Sequence, residues 1–561
     1  MAVASCNRAG PPATAPEVRF HIALPPSSRF SGLRLSPDGL RLAVAVKNQI
    51  YVRHFGALDF EAIPDTVGAS DPFWSPDGAW IGFFAGGTLK KIPSAGGPAV
   101  TICPAADAQG GTWNRAGVIL FASEGRTPGI FRVPASGEIP AAVVSTVGEH
   151  PSGRLRYPEF LPDGRHFLYT HVGGSLEEAR GVFIGSLEGA AESRRLLPDE
   201  TNAVFVGSGS ASARGRSGHI LFRRGGALVG QPFDADTGRL SGAVQSVAAD
   251  LDASTSGAGV FSASATGVMA YSVGSRTRAF EMVWLDRAGG RVGTVGRPGP
   301  ISSARISHDG RRLAFIEGDG MLGDVWVQDL PDGKATRVGA GVGTAGVAWA
   351  PDSGRVVVDS AGPPSRLSIR SLDNTRADVL LPTTGLGLKV DDWSPDGKWV
   401  VFEQDGQQKK TDIWLLPLAA LDTPTPLVSS EGHDRDATIS PDGRWLAYVQ
   451  EGTGGSSNVF VQSLPSPRSI QALSRTGGTV PRWNRSGTEI FYQSLDDTLM
   501  AVPVDTGAAF AIGQGKALFD IGANTLQQVS SDGQRFLVLA PSAPLPLLTV
   551  VLNWRPSLTP R

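Results

Sequence analysis

Two adjacent carboxylates, Asp391-Asp392, are the residues of this chain best suited to chemistry by type and place. Carboxylate oxygens suit hard cations, and a channel metal needs several His, Asp or Glu side chains converging on one point. The corresponding segments 32–35, 303–306 and 437–439 are poor in such groups, and the acidic pair is the main exception. Gly341-x-Gly343-x-x-Gly346 has the spacing of a nucleotide loop, which should open a helix. Here it precedes Val347-Ala348-Trp349, an apolar strand, and reads as a structural turn. Asp234-x-Asp236-x-Gly238 begins like a calcium loop without the remaining ligands, so it reads as a polar hairpin. Asp324 and Asp412 each precede a strand aromatic, and one carboxylate per repeat reads as a cap on backbone N–H groups. His308 and His166 lie in or just after turns and read as surface residues. The chain contains no Gly-x-Ser-x-Gly, His-Glu-x-x-His or Cys-x-x-Cys. The sequence thus assigns no catalytic residue and no cofactor-binding residue, and no metal ligand beyond the candidates Asp391 and Asp392.

The elements that must position these residues repeat. Trp393-Ser394-Pro395-Asp396-Gly397-Lys398-Trp399-Val400-Val401-Phe402 reads as a strand end, a tight turn and a second strand. Pro presets φ, Asp bonds the backbone two residues on, and Gly takes the positive φ. Further copies are Ser36-Pro37-Asp38-Gly39, Ser75-Pro76-Asp77-Gly78, Leu161-Pro162-Asp163-Gly164, Ser307-His308-Asp309-Gly310 and Ser440-Pro441-Asp442-Gly443. With degenerate copies, twelve turn glycines run from Gly39 to Gly533. Their spacing of about 45 residues is the period of a four-stranded propeller blade. Tryptophans recur just before the turn (Trp74, Trp113, Trp349, Trp393, Trp483) and in the third strand (Trp284, Trp326, Trp414), a pattern expected of packing between blades.

Twelve blades exceed one ordinary ring, so the fold predicted is all-β: tandem β-propellers, two six-bladed rings of four-stranded blades. The expected divisions are a disordered tail at 1–18, a first propeller at 19–290, a second at 291–556 and a tail at 557–561. The spare strand Arg19–Leu24 is expected to complete blade six, whose third strand would be Glu281–Leu285. Arg291–Val295 would complete blade twelve beside Leu547–Trp554, so losing the last ten residues should unfold the second ring.

Bulk composition narrows the partners. With 41% hydrophobic residues the chain can bury a large core, and 51 Lys+Arg against 53 Asp+Glu give no electrostatic case for nucleic acid or an anionic membrane. Two cysteines, Cys6 and Cys103, make no disulfide framework. No apolar run is long enough to span a bilayer. Val3-Ala4-Ser5-Cys6 has the form of a lipoprotein signal end but lacks a preceding apolar segment, so a polar tail is expected.

The Ser-Pro-Asp-Gly repeat with Asp-Ile-Trp and Val-Phe-Val strands resembles the TolB-like β-propeller family. A closer resemblance is to the C-terminal sensor region of certain bacterial serine/threonine protein kinases. The landmarks include Arg19-Phe20-His21-Ile22-Ala23-Leu24-Pro25, Pro72-Phe73-Trp74-Ser75-Pro76-Asp77-Gly78, Gln231-Pro232-Phe233-Asp234, Pro481-Arg482-Trp483 and Val550-Val551-Leu552-Asn553-Trp554. In that family a kinase domain and a membrane helix precede the propellers. This sequence has no Val-Ala-Ile-Lys, His-Arg-Asp or Asp-Phe-Gly, so no kinase residue carries over. The resemblance implies a non-enzymatic sensor or scaffold, periplasmic or otherwise extracytoplasmic, that binds a protein, peptide or small molecule at a propeller face or in the cleft between rings. The rival readings are a detached or truncated sensor part of such a kinase, and a lyase- or lactonase-like enzyme with a channel metal.

Overall fold

The computed structural model describes residues 16–554 except 26–29, 47–48, 125–127, 146–152, 174–176, 208–216, 255–256, 265, 274–278, 319–322, 332, 343–345, 360–365, 374–377, 384–386, 407–410, 420–422, 453–456, 508 and 543–546. The expected tails fall largely outside these residues.

Many of the repeats are built on a Ser-centred turn. In blade nine the Trp399 N–H donates to Ser394 Oγ (2.9 Å), Ser394 Oγ donates to Asp396 Oδ1 (2.8 Å), and the Gly397 N–H donates to the Ser394 carbonyl (2.9 Å). Gly397 sits at φ +75, which a side chain would strain. The same contacts recur at Ser36, Ser75, Ser307, Ser440 and Ser530. In two of them, hydrogen bonds led by the Ser75 and Ser530 hydroxyls hold Asp77 and Asp532 below the usual carboxylate range.

The turns organise twelve antiparallel sheets, ten of four strands and two of five; the described residues contain no α-helix, and no helix long and apolar enough to cross a membrane. The inner strands of the first set are Phe30–Leu35, Ser70–Trp74, Ala108–Trp113, Arg154–Phe160, Ala203–Gly207 and Phe261–Ala263 (blades one to six). Each lies against the next, and the sixth returns to the first, where the Leu35 N–H donates to Ser262 Oγ (3.0 Å). Those of the second set are Ile301–Ile306, Val347–Trp349, Lys389–Trp393, Asp434–Ile439, Thr479–Trp483 and Thr525–Val529 (blades seven to twelve). They make the same circuit, ending with the Ala304 N–H on Gln527 Oε1 (3.0 Å).

Apolar side chains fill the gaps between neighbouring sheets. Trp393, 2% exposed, packs with Val400, Phe402 and Leu416 of its own blade against Ala348, Val357 and Leu367 of blade eight. The Trp before the turn also reaches back one blade: the indole N–H groups of Trp74 and Trp349 donate to the carbonyls of Arg34 (3.0 Å) and Arg305 (2.9 Å).

The sixth and twelfth blades depart from expectation. Leu548–Leu552, not Glu281–Leu285, is the third strand of blade six, held between Met269–Ser272 and Val18–Ile22. Phe280–Asp286 is the third strand of blade twelve, between Arg535–Pro541 and Arg291–Gly299. The third strands are exchanged, so a single boundary at 290 does not separate the two sets. The chain leaves the first set after Ser272 and rejoins it at Leu548, with Ser542 N–H donating to the Ala279 carbonyl (2.9 Å) where the crossings meet. Either arrangement pairs every strand edge, and both segments are apolar, so edge satisfaction alone does not distinguish them. The packing does: Val551 and Trp554 lie in a cluster with Val204, Leu221 and Met269 of the first set.

Candidate functional site

Bulges aim the side chains that could act on a ligand. In blade nine, Val390 pairs with Phe402 and Asp392 with Val401, leaving Asp391 as the extra residue. In blade ten the register shifts between Arg435 and Thr438, and Asp436 takes φ +53. These irregularities bring the two aspartates to the same place as Glu403, from the second strand of blade nine.

Lys389 Nζ lies among all three, 2.7 Å from Glu403 Oε1, 2.9 Å from Asp436 Oδ1 and 3.5 Å from Asp391 Oδ1. Backbone donors add to it: Asp436 N–H to Glu403 Oε1 (2.8 Å) and Ala437 N–H to Asp391 Oδ2 (3.1 Å). Burial opposes charge on Lys389, but Asp436, Asp391 and Glu403 overcome it and hold the ammonium well above its ordinary pKa. Asp391 is driven well above the carboxylate range by burial and then by Glu403. Asp436 is also buried, yet Lys389 holds it below that range. Asp391 therefore takes up a proton before Asp436 does.

Oxygens of Asp391, Glu403 and Asp436 lie within 4.8 Å of one another, so these three could ligate a cation. The ammonium of Lys389 already supplies positive charge in reach of each. Asp392 is not with them. Its Oδ2 accepts from the Ile439 N–H (2.8 Å) and from Thr438 Oγ1 (3.3 Å), and its Oδ1 from the Trp393 N–H (2.9 Å), clipping blade nine to blade ten. The structure thus splits the sequence pair: Asp391 joins a buried charged group, and Asp392 binds backbone.

Two guanidiniums share the inner strands of the second set. Arg305 Nη1 donates to the carbonyls of Ala304 and Gln527 (both 3.2 Å). Arg482 donates from Nε to the Gln527 carbonyl (2.8 Å) and from Nη1 to that of Pro481 (2.7 Å). Burial, then the neighbouring Arg305, push Arg482 down to about 9, and burial lowers Arg305.

The first set carries a different group. Arg34 of blade one pairs with Glu159 of blade four at 3.2 Å. A cavity of about 70 Å³ opens beside Arg34, Asp71, Tyr157 and Phe261, with Gly32 and Gly110 among its walls. A Cβ at Gly110 would come 3.3 Å from Tyr157 Cα, so glycine keeps these strands close. Burial raises Asp71 to about 7 despite Arg34 and Arg156.

The other sequence candidates lie apart from both groups. Residues 343–345 of the glycine-rich run are outside the described residues; Gly346 enters the inner strand of blade eight, and a Cβ there would strike the Val390 carbonyl. Asp234 Oδ1 accepts the N–H groups of Asp236 and Thr237 in a hairpin turn. Asp324 pairs with Arg337 across two strands at 3.1 Å. His166 contacts Asp163, and His308 Nε2 is 3.3 Å from the Trp349 carbonyl.

Sequence reasoning missed Lys389, Glu403, Asp436, Arg305, Arg482 and Arg34. One signal was available: Arg34, Glu159, Arg305, Asp392 and Arg482 all stand two residues before the first residue of their turns.

Residues 252–506 match the family TolB beta propeller domain. No curated protein matches the chain. Among solved structures, a putative TolB from Agrobacterium tumefaciens shares 18% identity at TM-score 0.38, covering 47% of this chain and 98% of its own. TolB from Acinetobacter baumannii shares 15% at TM-score 0.35, covering 62% and 81%. The tricorn protease shares 11% at TM-score 0.31, covering 88% and 63%. Over residues 252–506 the chain is thus similar to the TolB beta propeller domain.

Proposed function

We propose that the chain is a non-enzymatic binding protein built of two closed six-bladed propellers, and that the axis of the second ring is its ligand-binding site. The observation that carries this reading is the buried charged group around Lys389, joined at the same axis by Arg305 and Arg482. Such groups are costly to bury and sit where rigid strands from several blades converge. Lys389, Asp391, Glu403 and Asp436 are tied to one another or to backbone, an arrangement that orients charge rather than exposing a nucleophile beside a free base. The resemblance to kinase sensor regions adds a placement outside the cytoplasm and a role in sensing a small molecule, peptide or protein. Incubation with ATP and a generic protein substrate is expected to give no phosphate incorporation, and ester, peptide and lactone panels no turnover.

A second reading is favoured by the proximity of the Asp391, Glu403 and Asp436 oxygens: a metal-dependent enzyme. Turnover abolished both by a chelator and by Asp391→Asn would establish that reading and overturn the first.

A further inference from the structure

We propose that Arg305 and Arg482 form a receptor for the carboxylate of a small monoanionic ligand at the axis of the second ring. The inference rests on reading that axis as a binding site, and it names the chemistry the site takes. Among the described residues neither guanidinium has a carboxylate within ion-pair distance, although Arg482 is only 7% exposed. Both are held by the Gln527 carbonyl, so they lie side by side, and among the described residues Arg482 Nη2 with Arg305 Nε and Nη2 have no acceptor. Two like charges fixed together in an enclosed site are unfavourable unless an anion joins them. A carboxylate offers two coplanar oxygens that match guanidinium N–H groups.

The first ring shows what is missing. Arg34 and Arg305 stand at the same place relative to their turns, in blades one and seven. Arg34 meets Glu159, at that same place three blades on. Three blades on from Arg305 stands Thr438, and three on from Arg482, counting round the ring, stands Ala348. Neither side chain can neutralise a guanidinium. The nearby acidic groups are engaged elsewhere: Asp392 with Ile439 N–H, Asp391 with Ala437 N–H, and Asp436 with Lys389. Their charge still reaches the two arginines and disfavours a dianion, which selects a carboxylate over phosphate.

The test uses the full chain with sodium acetate replacing sodium chloride at constant ionic strength. Melting temperature and saturation-transfer NMR of acetate are read. Acetate is expected to raise the melting temperature saturably and to show transfer, and Arg305→Gln and Arg482→Met are each expected to raise the half-saturating concentration about tenfold or more. Circular dichroism identifies any variant that fails to fold. Arg305→Gln, at the less enclosed position, serves if Arg482→Met does not fold. Arg312→Gln, on a surface ion pair, should leave acetate binding unchanged. Equal stabilisation by chloride, a response to phosphate alone, or acetate binding that survives Arg305→Gln would each overturn the proposal. In those cases the binding reading still stands if no turnover is found, whereas chelator-sensitive turnover overturns that reading whatever acetate does.

Discussion

The two sets of blades place arginine at the same position relative to the turn and treat it differently. In the first, Arg34 finds Glu159 at 3.2 Å, and the space beside them is a cavity partly walled by glycines, with Asp71 raised to about 7. In the second, Arg305 and Arg482 rest on backbone carbonyls, while the carboxylates nearby gather round Lys389. The backbone offers both rings the same stage. The identity of one residue per blade, two before the turn, decides whether the guanidinium meets a carboxylate or a backbone carbonyl.

The largest test of the two rings as separate units is truncation after Pro541. It removes Leu548–Leu552, whose Leu548, Val550 and Val551 are fully buried in the first ring. Losing those three side chains alone costs about 5–9 kcal/mol at 1.5–3 each, before the lost backbone pairing. Calorimetry should show the first ring's transition lost and the second's retained. Loss of the second ring alone would contradict the strand exchange.

Next is Trp393→Ala, which should lower second-ring stability by about 3–5 kcal/mol and leave the first ring unchanged. Its indole N–H has no hydrogen-bond partner, so the effect measures packing. An unchanged melting temperature would remove the inter-blade role of this tryptophan.

The contrast itself is tested by matched variants. Arg34→Gln strands a buried carboxylate and should cost about 2 kcal/mol. Arg305→Gln relieves a like-charge neighbour of Arg482 and should be neutral or stabilising in the absence of ligand. Equal losses, measured by urea denaturation, would erase the distinction.

The last test concerns pH. Asp71 has a folded pKa near 7, above its unfolded value of about 3.9, so its protonated form is favoured by folding. Its contribution is complete below the unfolded value and is lost as pH rises through about 7. Asp71→Asn should flatten the stability of the first ring between these limits and leave the second ring's pH profile alone. A first-ring profile as steep as wild type would place the titration elsewhere.

The repeat was legible because turns are local: Ser394, Asp396 and Gly397 act within five residues, so their spacing alone announces the hairpin and, twelve times over, the blade. Trp393 was legible for the same reason, as a fixed offset from that turn. The exchange of third strands was not, because Glu281–Leu285 and Leu547–Trp554 are both apolar runs that could fill either gap. The Lys389 group was hidden by bulges. A strict two-residue alternation would send neighbours Asp391 and Asp392 to opposite faces, but says nothing of the positive φ that turns Asp436 toward Lys389. Glu403 carries no motif at all; only the pairing of its strand brings it to Lys389.

Val18 pairs with Leu552, and Ile22 with Leu548. Tension applied at residues 18 and 552 therefore loads this ladder from one end, and its hydrogen bonds break in succession rather than together. Such an unzipping geometry yields at low force. It would detach the outer strand of the first ring while the second, strung between Ser272 and Leu548, carries no load.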